Sequence, residues 1–482
     1  MFKNFMTSKK FQSDAIKVLN FIENYLNELE NFPVLSQTIP DEIKNNFPYV
    51  KPPYDGKSIE DLLEDFEKYF FRGITHWNHP GFMAYFNSTS SEAGILSEFL
   101  IAAMNLNGML WKTSPVVTEL ENIVVNWLRE MIGLNENFWG IIYDTASIST
   151  FHAIASAREQ LNLNIRGKGI FGRNDLPKII LYCSEHAHSS IDKSAIALGI
   201  GTENVRKIKT NKKFEMIPDE LLKAIENDKK SGYLPFCVVA TIGTTSFASN
   251  DPIKSISEIC NNFNIWLHID AAYAGVAAIL PEMKWITNGW NDAESIVINP
   301  HKWMFTPIDC SILLTKKKFV LKNAFSIVSD YLRTKEENQV NNLMDYGLQL
   351  GRRFRALKLW FVISNLGVKG IEEKIRNHIK WAKEFSEWIE NHKYLKLIAP
   401  VHFSTICFQL KTNEMYTNDK INEFNLKLLD LVNSSGKIFI SNTMLNNQII
   451  LRLTIGSYWQ EKRHIEMAKQ ILNECIEKVM NN

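Results

Sequence analysis

The sequence predicts an α/β fold with a mostly parallel central sheet and flanking helices. Short apolar runs alternate with stretches of helical periodicity, and each run is apolar throughout instead of at every second position. Strands that are covered on both faces have this composition, and the chain between most of the runs is long enough for a crossover helix. The predicted strands are residues 178–183, 236–243, 265–270, 295–299 and 310–315.

The length of 482 residues is too great for one compact core, so more than one domain is expected. Residues 1–90 are predicted to form an N-terminal helical arm, because polar helical stretches flank the segment FPYVKPPYDG. Residues 91–370 form the large α/β domain, in which the segment 114–134 is a helix that opens with Ser-Pro. Residues 371–482 form a small C-terminal α+β domain that begins with a long amphipathic helix.

Composition argues against nucleic-acid and membrane binding. The 54 lysines and arginines almost balance 53 acidic residues, so no strong overall charge attracts the chain to anionic partners. No apolar stretch is long enough for a membrane span, and the first residues lack the pattern of a secretory signal. The six cysteines are scattered without a CxxC pair, as is typical of reduced thiols. We therefore expect a cytoplasmic protein that acts on a small molecule.

The segment LGRRFRALKLWF, residues 350–361, places four cations among apolar residues at helical spacing. A nucleic-acid patch is one interpretation of such a segment. The interleaved apolar residues favour a half-buried helix with a solvated cationic face.

Two predicted strand ends bring an acid and an amine to one edge of the sheet. Asp270 ends the strand 265–270, and Lys302 closely follows the strand 295–299. Open α/β sheets bind ligands at the carboxyl ends of their strands, although an aspartate there can also be a helix N-cap. A lysine with a lowered pKa can form a Schiff base, and a carboxylate can keep the ring nitrogen of pyridoxal phosphate protonated. Together the two residues match the opposite ends of that cofactor.

Other motifs supply the remaining parts of such a site. Thr145, Ala146 and Ser147 lie at the predicted start of a helix, where free backbone amides can bind a phosphate. His186 and His188 are two residues apart, but no further ligands stand at a convincing spacing, so no metal site is expected. The GxGxxG string GKGIFG follows a helix and precedes a strand, which is the reverse of the dinucleotide-binding order.

Eight segments in order resemble the aromatic L-amino-acid decarboxylase branch of the group II pyridoxal-phosphate-dependent decarboxylases. They are FMAYF, SPVVTELE, SEHAHSS, ATIGTTS, LHIDAAYAG, NPHKWM, DCS and LGRRFRALKLWF, within a match that runs from about Trp77 to Arg452. The resemblance implies a fold-type I enzyme that binds pyridoxal 5'-phosphate. It also implies a homodimer with the active site at the interface and a swapped N-terminal arm.

The resemblance also implies roles for individual residues. Lys302 would bind the cofactor aldehyde, Asp270 would pair with the ring nitrogen, and His188 would stack on the ring. The remaining cofactor-binding residues would be Ala146, Ser147, Asn299 and His301 at the phosphate and Thr245 near the cofactor hydroxyl. The substrate pocket would be formed by Trp77, Tyr85 and Phe86, with Gly351 leaving room for the substrate.

The catalytic acid is the point at which the sequence departs from the family. In the family a tyrosine of a mobile loop returns a proton to the substrate α-carbon, and counting back from the arginines of LGRR places Leu343 at that position. Tyr346, three residues later, and His188 are the remaining candidates for this role. Relatives without the tyrosine can form an aldehyde, ammonia and peroxide.

We therefore predict decarboxylation of an aromatic L-amino acid, of the tryptophan, phenylalanine, tyrosine or dopa type, to the arylalkylamine and CO2. An aromatic aldehyde synthase is the alternative. A glutamate or cysteine-sulfinate decarboxylase is less favoured, because Trp303 and DCS resemble the aromatic branch. A catalytically inactive cofactor-binding protein is disfavoured by the presence of Lys302, Asp270 and His188.

Overall fold

The computed structural model describes residues 8–48, 51–327, 336, 339–411 and 416–480. The strands in these ranges are β1 (Trp139–Tyr143), β2 (Ile179–Ser184), β3 (Val205–Ile208), β4 (Leu234–Thr241), β5 (Trp266–Asp270), β6 (Ser295–Ile298), β7 (Ser311–Thr315), β8 (Leu395–Leu397), β9 (Thr405–Leu410), β10 (Ser441–Leu445) and β11 (Gln448–Thr454). The helices are α1 (Ser8–Asn27), α2 (Glu42–Asn46), α3 (Ile59–Asp65), α4 (Glu92–Met104), α5 (Pro115–Ile132), α6 (Ala146–Glu159), α7 (Ile165–Lys168), α8 (Ser190–Ala197), α9 (Pro218–Lys230), α10 (Ile253–Phe263), α11 (Pro300–Trp303), α12 (Lys318–Phe325), α13 (Arg355–Asn391), α14 (Asn418–Ser434) and α15 (Lys462–Met480). Helix α13 is interrupted at Gly367, where φ is 66°.

The central sheet has the strand order β1-β7-β6-β5-β4-β2-β3 within the described ranges. Strands β3, β2, β4, β5 and β6 pair in parallel, whereas β7 runs antiparallel to both β6 and β1. The prediction of a mostly parallel sheet is therefore confirmed. All five predicted strands are present within one or two residues of their predicted ends, and β1 and β3 are additional.

Helices cover both faces of this sheet, which explains why its central strands are largely apolar on both faces instead of at alternate positions. In β2, Ile180 and Tyr182 pack in a core cluster that includes residues of α5, α9 and α10. The intervening residues Ile179 and Leu181 pack in a second cluster that includes residues of α6 and α8. Successive side chains of a strand point to opposite faces, so both sets are buried.

The cations of LGRRFRALKLWF are more deeply buried than the sequence indicated. Arg352 is 7% exposed and Lys358 is fully buried, and only Arg353 has a largely exposed side chain. Arg352 pairs with Glu121 at 2.9 Å, and Lys358 pairs with Glu98 at 2.7 Å. The prediction of a solvated cationic face was wrong, because these charges are neutralised inside the fold.

The chain divides into two compact units. The first contains Met1–Tyr85, Thr412–Leu451 and Trp459–Asn482, and the second contains Phe86–Lys411 and Arg452–Tyr458, with the whole central sheet. The predicted domain boundaries at residues 90 and 370, and the role of the N-terminal arm, stay predictions. Among the described helices, none combines the length and the apolar character that a membrane crossing requires.

Candidate active site

A cavity of about 190 Å³ lies in the second unit at the carboxyl ends of β4, β5 and β6. This is the edge at which open α/β sheets bind ligands. The structure brings most of the predicted site residues together around it. The predicted residues that line the cavity are Phe86, Ala146, Ser147, His188, Thr245, Asp270, Asn299, His301 and Lys302.

Asp270 is held at the last position of β5, between the parallel neighbours β4 and β6. It is 6% exposed, and its Oδ1 accepts a hydrogen bond from the backbone N–H of Ala272 at 3.1 Å. The next helical segment is a 3₁₀ helix at Ala274–Ile279, whose N-cap is Tyr273. Asp270 is therefore not the N-cap of that helix, and its carboxylate faces the cavity.

Lys302 lies on the single turn of α11 that follows β6. Desolvation by burial lowers the pKa of its amine, Asp270 opposes that effect, and Arg452 adds to it. The Nζ atom is 5.3 Å from the centroid of the Phe86 ring. Because its pKa is lowered, a larger fraction of the amine is neutral and nucleophilic than in a solvent-exposed lysine.

Two neutral histidines belong to the cavity. His188 accepts the N–H of Ser190 at its Nδ1 at 3.1 Å, and desolvation lowers its pKa. His301 accepts the N–H of Cys310 at its Nδ1 at 2.9 Å, and burial lowers its pKa to about 3. In a neutral imidazole whose Nδ1 accepts a hydrogen bond, the proton is on Nε2.

This tautomer fixes the orientation of the neighbouring amide. Nε2 of His301 is 3.3 Å from Nδ2 of Asn299, and Oδ1 of Asn299 has no partner among the described residues. Rotating the amide by 180° lets its oxygen accept the Nε2 proton and leaves the NH₂ group as a donor without a protein acceptor among the described residues. Asn299 can then donate to an anionic ligand.

The start of α6 supplies further donors for an anion. Thr145 is the N-cap, and its carbonyl accepts the N–H groups of Ile148 and Ser149 at 3.1 and 3.0 Å. The N–H groups of Ala146 and Ser147 precede these bonds and have no acceptor within the helix. Free amides and the helix dipole make this position suitable for a phosphate.

Stacked aromatic rings form one wall of the cavity. Phe86 stacks on Tyr273 with ring centroids 3.7 Å apart, and Tyr273 stacks on Trp303 at 5.0 Å. Arg452 lies against the same wall, with its Cζ 4.7 Å from the centroid of the Phe86 ring. Tyr273 and Arg452 were not predicted from the sequence as residues of the site. The available signals were the position of Tyr273 just after Asp270 and the single cation in the apolar run IILRLTI.

Four predicted residues are not among those that line the cavity. Trp77 and Tyr85 belong to the first unit, where both pack against Phe82. Gly351 and Tyr346 belong to the second unit. Their roles stay predictions.

Tyr346 is 3% exposed and packs on Trp139 of β1 with a centroid distance of 4.6 Å. Its hydroxyl lies 3.3 Å from Oδ1 of Asn341, and burial raises its pKa to about 12. Leu343 is buried in the same cluster. Most of the polar stretch that precedes them, residues 328–335 and 337–338, lies outside the described residues.

The donor set fits pyridoxal phosphate. The amides at the start of α6 and the side chain of Asn299 can bind the phosphate, and Lys302 can bond to the aldehyde. Asp270 can pair with a protonated ring nitrogen, and the imidazole of His188 can stack on the ring face. Among the described residues, no group of three or more histidine, cysteine or acidic side chains is arranged to hold a metal ion.

Comparison with known proteins agrees with this chemistry. The pyridoxal-dependent decarboxylase conserved domain matches residues 40–411. Tyrosine decarboxylase 2 of Narcissus pseudonarcissus is 37% identical over 97% of this chain and 94% of that protein. Phenylacetaldehyde synthase of a Rosa hybrid cultivar is 35% identical over 98% of this chain and 95% of that protein. The crystal structure of Oryza sativa TDC with PLP and tryptamine has a TM-score of 0.94 and 29% identity, and the match covers 100% of both chains. The predicted fold, fold-type I, is confirmed.

Proposed function

This chain belongs to the pyridoxal-dependent decarboxylases and is a carboxy-lyase that uses pyridoxal phosphate, and we propose that it converts an aromatic L-amino acid to the arylalkylamine and CO2. The observation that carries the proposal is the aromatic wall beside Lys302. A cavity that presents a nucleophilic amine, a carboxylate and stacked rings suits a substrate with an aromatic side chain.

Pyridoxal phosphate, when bound, supplies an electron sink for the electron pair that departing CO2 leaves behind. Asp270 would keep the ring nitrogen protonated, since its carboxylate is held at the strand end with one oxygen fixed by Ala272. The N–H groups of Ala146 and Ser147 would anchor the phosphate. His188 would cover one face of the ring, and as a neutral imidazole it would not repel the ring's positive charge.

Lys302 has two proposed tasks. Its lowered pKa leaves a neutral amine that can bond to the cofactor aldehyde and accept a proton when substrate displaces it. The wall of Phe86 and Tyr273 would orient the substrate so that the bond to its carboxylate stands perpendicular to the cofactor ring. Fixing that orientation selects loss of CO2 over competing reactions at the same carbon.

An aromatic aldehyde synthase is the second candidate, and the position of Tyr346 favours it. The Tyr346 hydroxyl is directed to Asn341, and the residue is not among those that line the cavity. Without a proton donor at the substrate α-carbon, reaction with O2 competes with protonation. The similarity to phenylacetaldehyde synthase supports the same candidate.

Product analysis distinguishes the two reactions. The holoenzyme is incubated with L-tryptophan, L-phenylalanine and L-dopa, and CO2, amine, aldehyde and peroxide are measured from the same reaction. The decarboxylase proposal predicts one amine per CO2 and no peroxide. Peroxide in equal amount to CO2, with aldehyde and no amine, would overturn it in favour of the synthase.

We also propose that the chain is a homodimer. Helix α4 buries Ser97 and Ile101, but Leu96, Leu100 and Met104 on another face are 53%, 45% and 45% exposed. Apolar stripes of this kind mark interaction surfaces, and a second copy of the chain would cover this one. A cytoplasmic location is proposed as well, because all six cysteines are described, buried and free of disulfides.

A further inference from the structure

A second cavity, of about 280 Å³, lies beside the loop that joins β4 to α10. Its lining includes Glu215, Asn250, Ser255, Trp285 and Ile286. Within the described part of the chain, it shares no lining residue with the cavity at Lys302. The proposed decarboxylation therefore does not account for it.

Asn250 is the most informative residue that lines this second cavity. Asn250 is 7% exposed, and neither its Oδ1 nor its Nδ2 has a hydrogen-bond partner among the described residues. Its backbone forms a bridge with Ile242, so the position of the residue is fixed. A buried amide with both polar atoms unpaired lowers stability, and a ligand with one acceptor and one donor would satisfy both atoms.

The start of α10 lines the same cavity and offers donors for an anionic group. Pro252 precedes the helix without a side-chain cap, and the N–H of Ile256 makes the hydrogen bond to its carbonyl at 3.1 Å. The N–H groups of Ile253, Lys254 and Ser255 therefore have no acceptor within the helix. The ammonium of Lys254 is already paired with Asp292 at 3.2 Å, so the helix amides are the donors available here.

Other lining residues suit a cation and an apolar group. The carboxylate of Glu215 accepts a hydrogen bond from Asn211 at one oxygen, Oε2. Asp251 uses both of its oxygens to accept the N–H groups of Met216 and Thr241. Trp285, which is 50% exposed, and the buried Ile286 provide an apolar surface.

We propose that this cavity binds a free α-amino acid with an apolar or aromatic side chain, as its zwitterion. The carboxylate would accept hydrogen bonds from the first N–H groups of α10 and from Nδ2 of Asn250. The ammonium group would donate to Oδ1 of Asn250 and to Glu215. The side chain would lie against Trp285. A ligand with only a carboxylate, or with only an ammonium group, would form only half of these hydrogen bonds.

Equilibrium dialysis with radiolabelled L-phenylalanine tests this site. The holoenzyme is first reduced with borohydride, so that turnover does not consume the ligand. We expect the protein to bind phenylalanine. We expect 3-phenylpropionate and 2-phenylethylamine to displace it only at a much higher concentration than unlabelled phenylalanine does. The readout is independent of which amino acid the enzyme decarboxylates, so failure here leaves the proposed function intact.

Variants assign the binding to this cavity. Asn250→Asp keeps the shape of the side chain but replaces the Nδ2 donor, and we expect an affinity about tenfold lower or worse. Glu215→Gln should weaken the binding of phenylalanine but leave the affinity for 3-phenylpropionate unchanged. Asn262→Ala, at an exposed position of the same helix, is the matched control. Unchanged affinity in both Asn250→Asp and Glu215→Gln, or equal binding of 3-phenylpropionate and phenylalanine, would overturn the proposal.

Discussion

The ring of Phe86 lies nearly parallel to the ring of Tyr273, with centroids 3.7 Å apart and an angle of 9° between the planes. The hydroxyl of Tyr273 is fixed in turn by Ser404, at 2.6 Å between the oxygens. The surface beside the Lys302 amine is therefore rigid and aromatic. The packing of the core therefore holds in place the surface at which we propose that the aromatic side chain of the substrate binds.

Replacing Phe86 by alanine should weaken the selection of aromatic substrates. The change removes the stack on Tyr273 and opens the cavity, so we expect kcat/KM for the preferred aromatic amino acid to fall about tenfold or more. The absorbance of the bound cofactor should be the same as in the parent chain, because no hydrogen-bond donor to the phosphate is changed. Phe171→Ala is the control, since Phe171 is fully exposed. An unchanged kcat/KM in Phe86→Ala would show that the ring does not form the substrate pocket.

Loss of the buried Arg352–Glu121 pair should lower the free energy of unfolding more than loss of the exposed Arg353 side chain does. Arg352→Met leaves the charge of Glu121 buried without its partner, and we expect a loss of about 3–5 kcal/mol in the free energy of unfolding. Arg353→Met removes a cation whose side chain is 47% exposed, and the expected loss is about 1 kcal/mol or less. Urea unfolding of both variants measures the difference. Equal losses would contradict the burial argument.

The stability of the chain should fall as the pH is lowered below about 6.5. Burial lowers the pKa of His152, His301 and His378 to about 3 each, so the unfolded chain takes up protons in this range and the folded chain does not. The contribution of these three histidines to the free energy of unfolding is complete above pH 6.5 and is lost as the pH falls towards 3. Burial raises the pKa of Asp251 to about 6 and also raises the pKa of Glu294, and these two carboxyl groups act in the opposite direction. They are outnumbered, because burial also lowers the pKa of His79 and His268 to about 4 each, which adds to the effect of the other three imidazoles.

We therefore expect the free energy of unfolding to decrease by about 1 kcal/mol or more per pH unit between pH 6.5 and 5. Urea unfolding at pH 7.5, 6.5 and 5.5 measures this slope. His378→Gln removes one of the titrating groups and should reduce it. A free energy that is constant or rises over this interval would show that these imidazoles are not held neutral.

A charge in the apolar stripe of α4 should prevent dimer formation. Leu100→Glu places a carboxylate in the surface that a second copy would bury, and the unpaired charge would be costly there. Sedimentation should find the parent chain as a dimer and the variant as a monomer. Phe171→Glu, at another exposed apolar residue, should remain a dimer. A dimer of unchanged stability in Leu100→Glu would place the interface elsewhere.

Much of the fold was predictable because the strongest strands carry a simple signal. The runs that became β2, β4, β5, β6 and β7 are largely apolar on both faces, as is expected of strands between two layers of helices. Strand β3 was missed because it is a short strand at the edge of the sheet, and its run VRKI includes Arg206 and Lys207. Strand β1, with the run WGIIY, is also short and contains a glycine, which weakens a strand signal.

The site was predictable where its residues follow strand ends in the chain. Asp270 is the last residue of β5, and Lys302 lies on the short helix α11 that follows β6, so the parallel pairing of these strands brings both residues to one edge. The partners of the buried cations were not predictable in this way. Glu121 is 231 residues from Arg352 in sequence, and Glu98 is 260 residues from Lys358. Only the folded chain shows that these charges are paired.

We propose above all that Lys302 binds the cofactor aldehyde in a site that Asp270 completes. The most direct measurement is reduction of the holoenzyme with borohydride, followed by proteolysis and mass spectrometry of the pyridoxyl-labelled peptide. We expect one label per chain, on Lys302, and no label in Lys302→Ala. A label on another lysine, or an unchanged yield of labelled protein in Lys302→Ala, would contradict it.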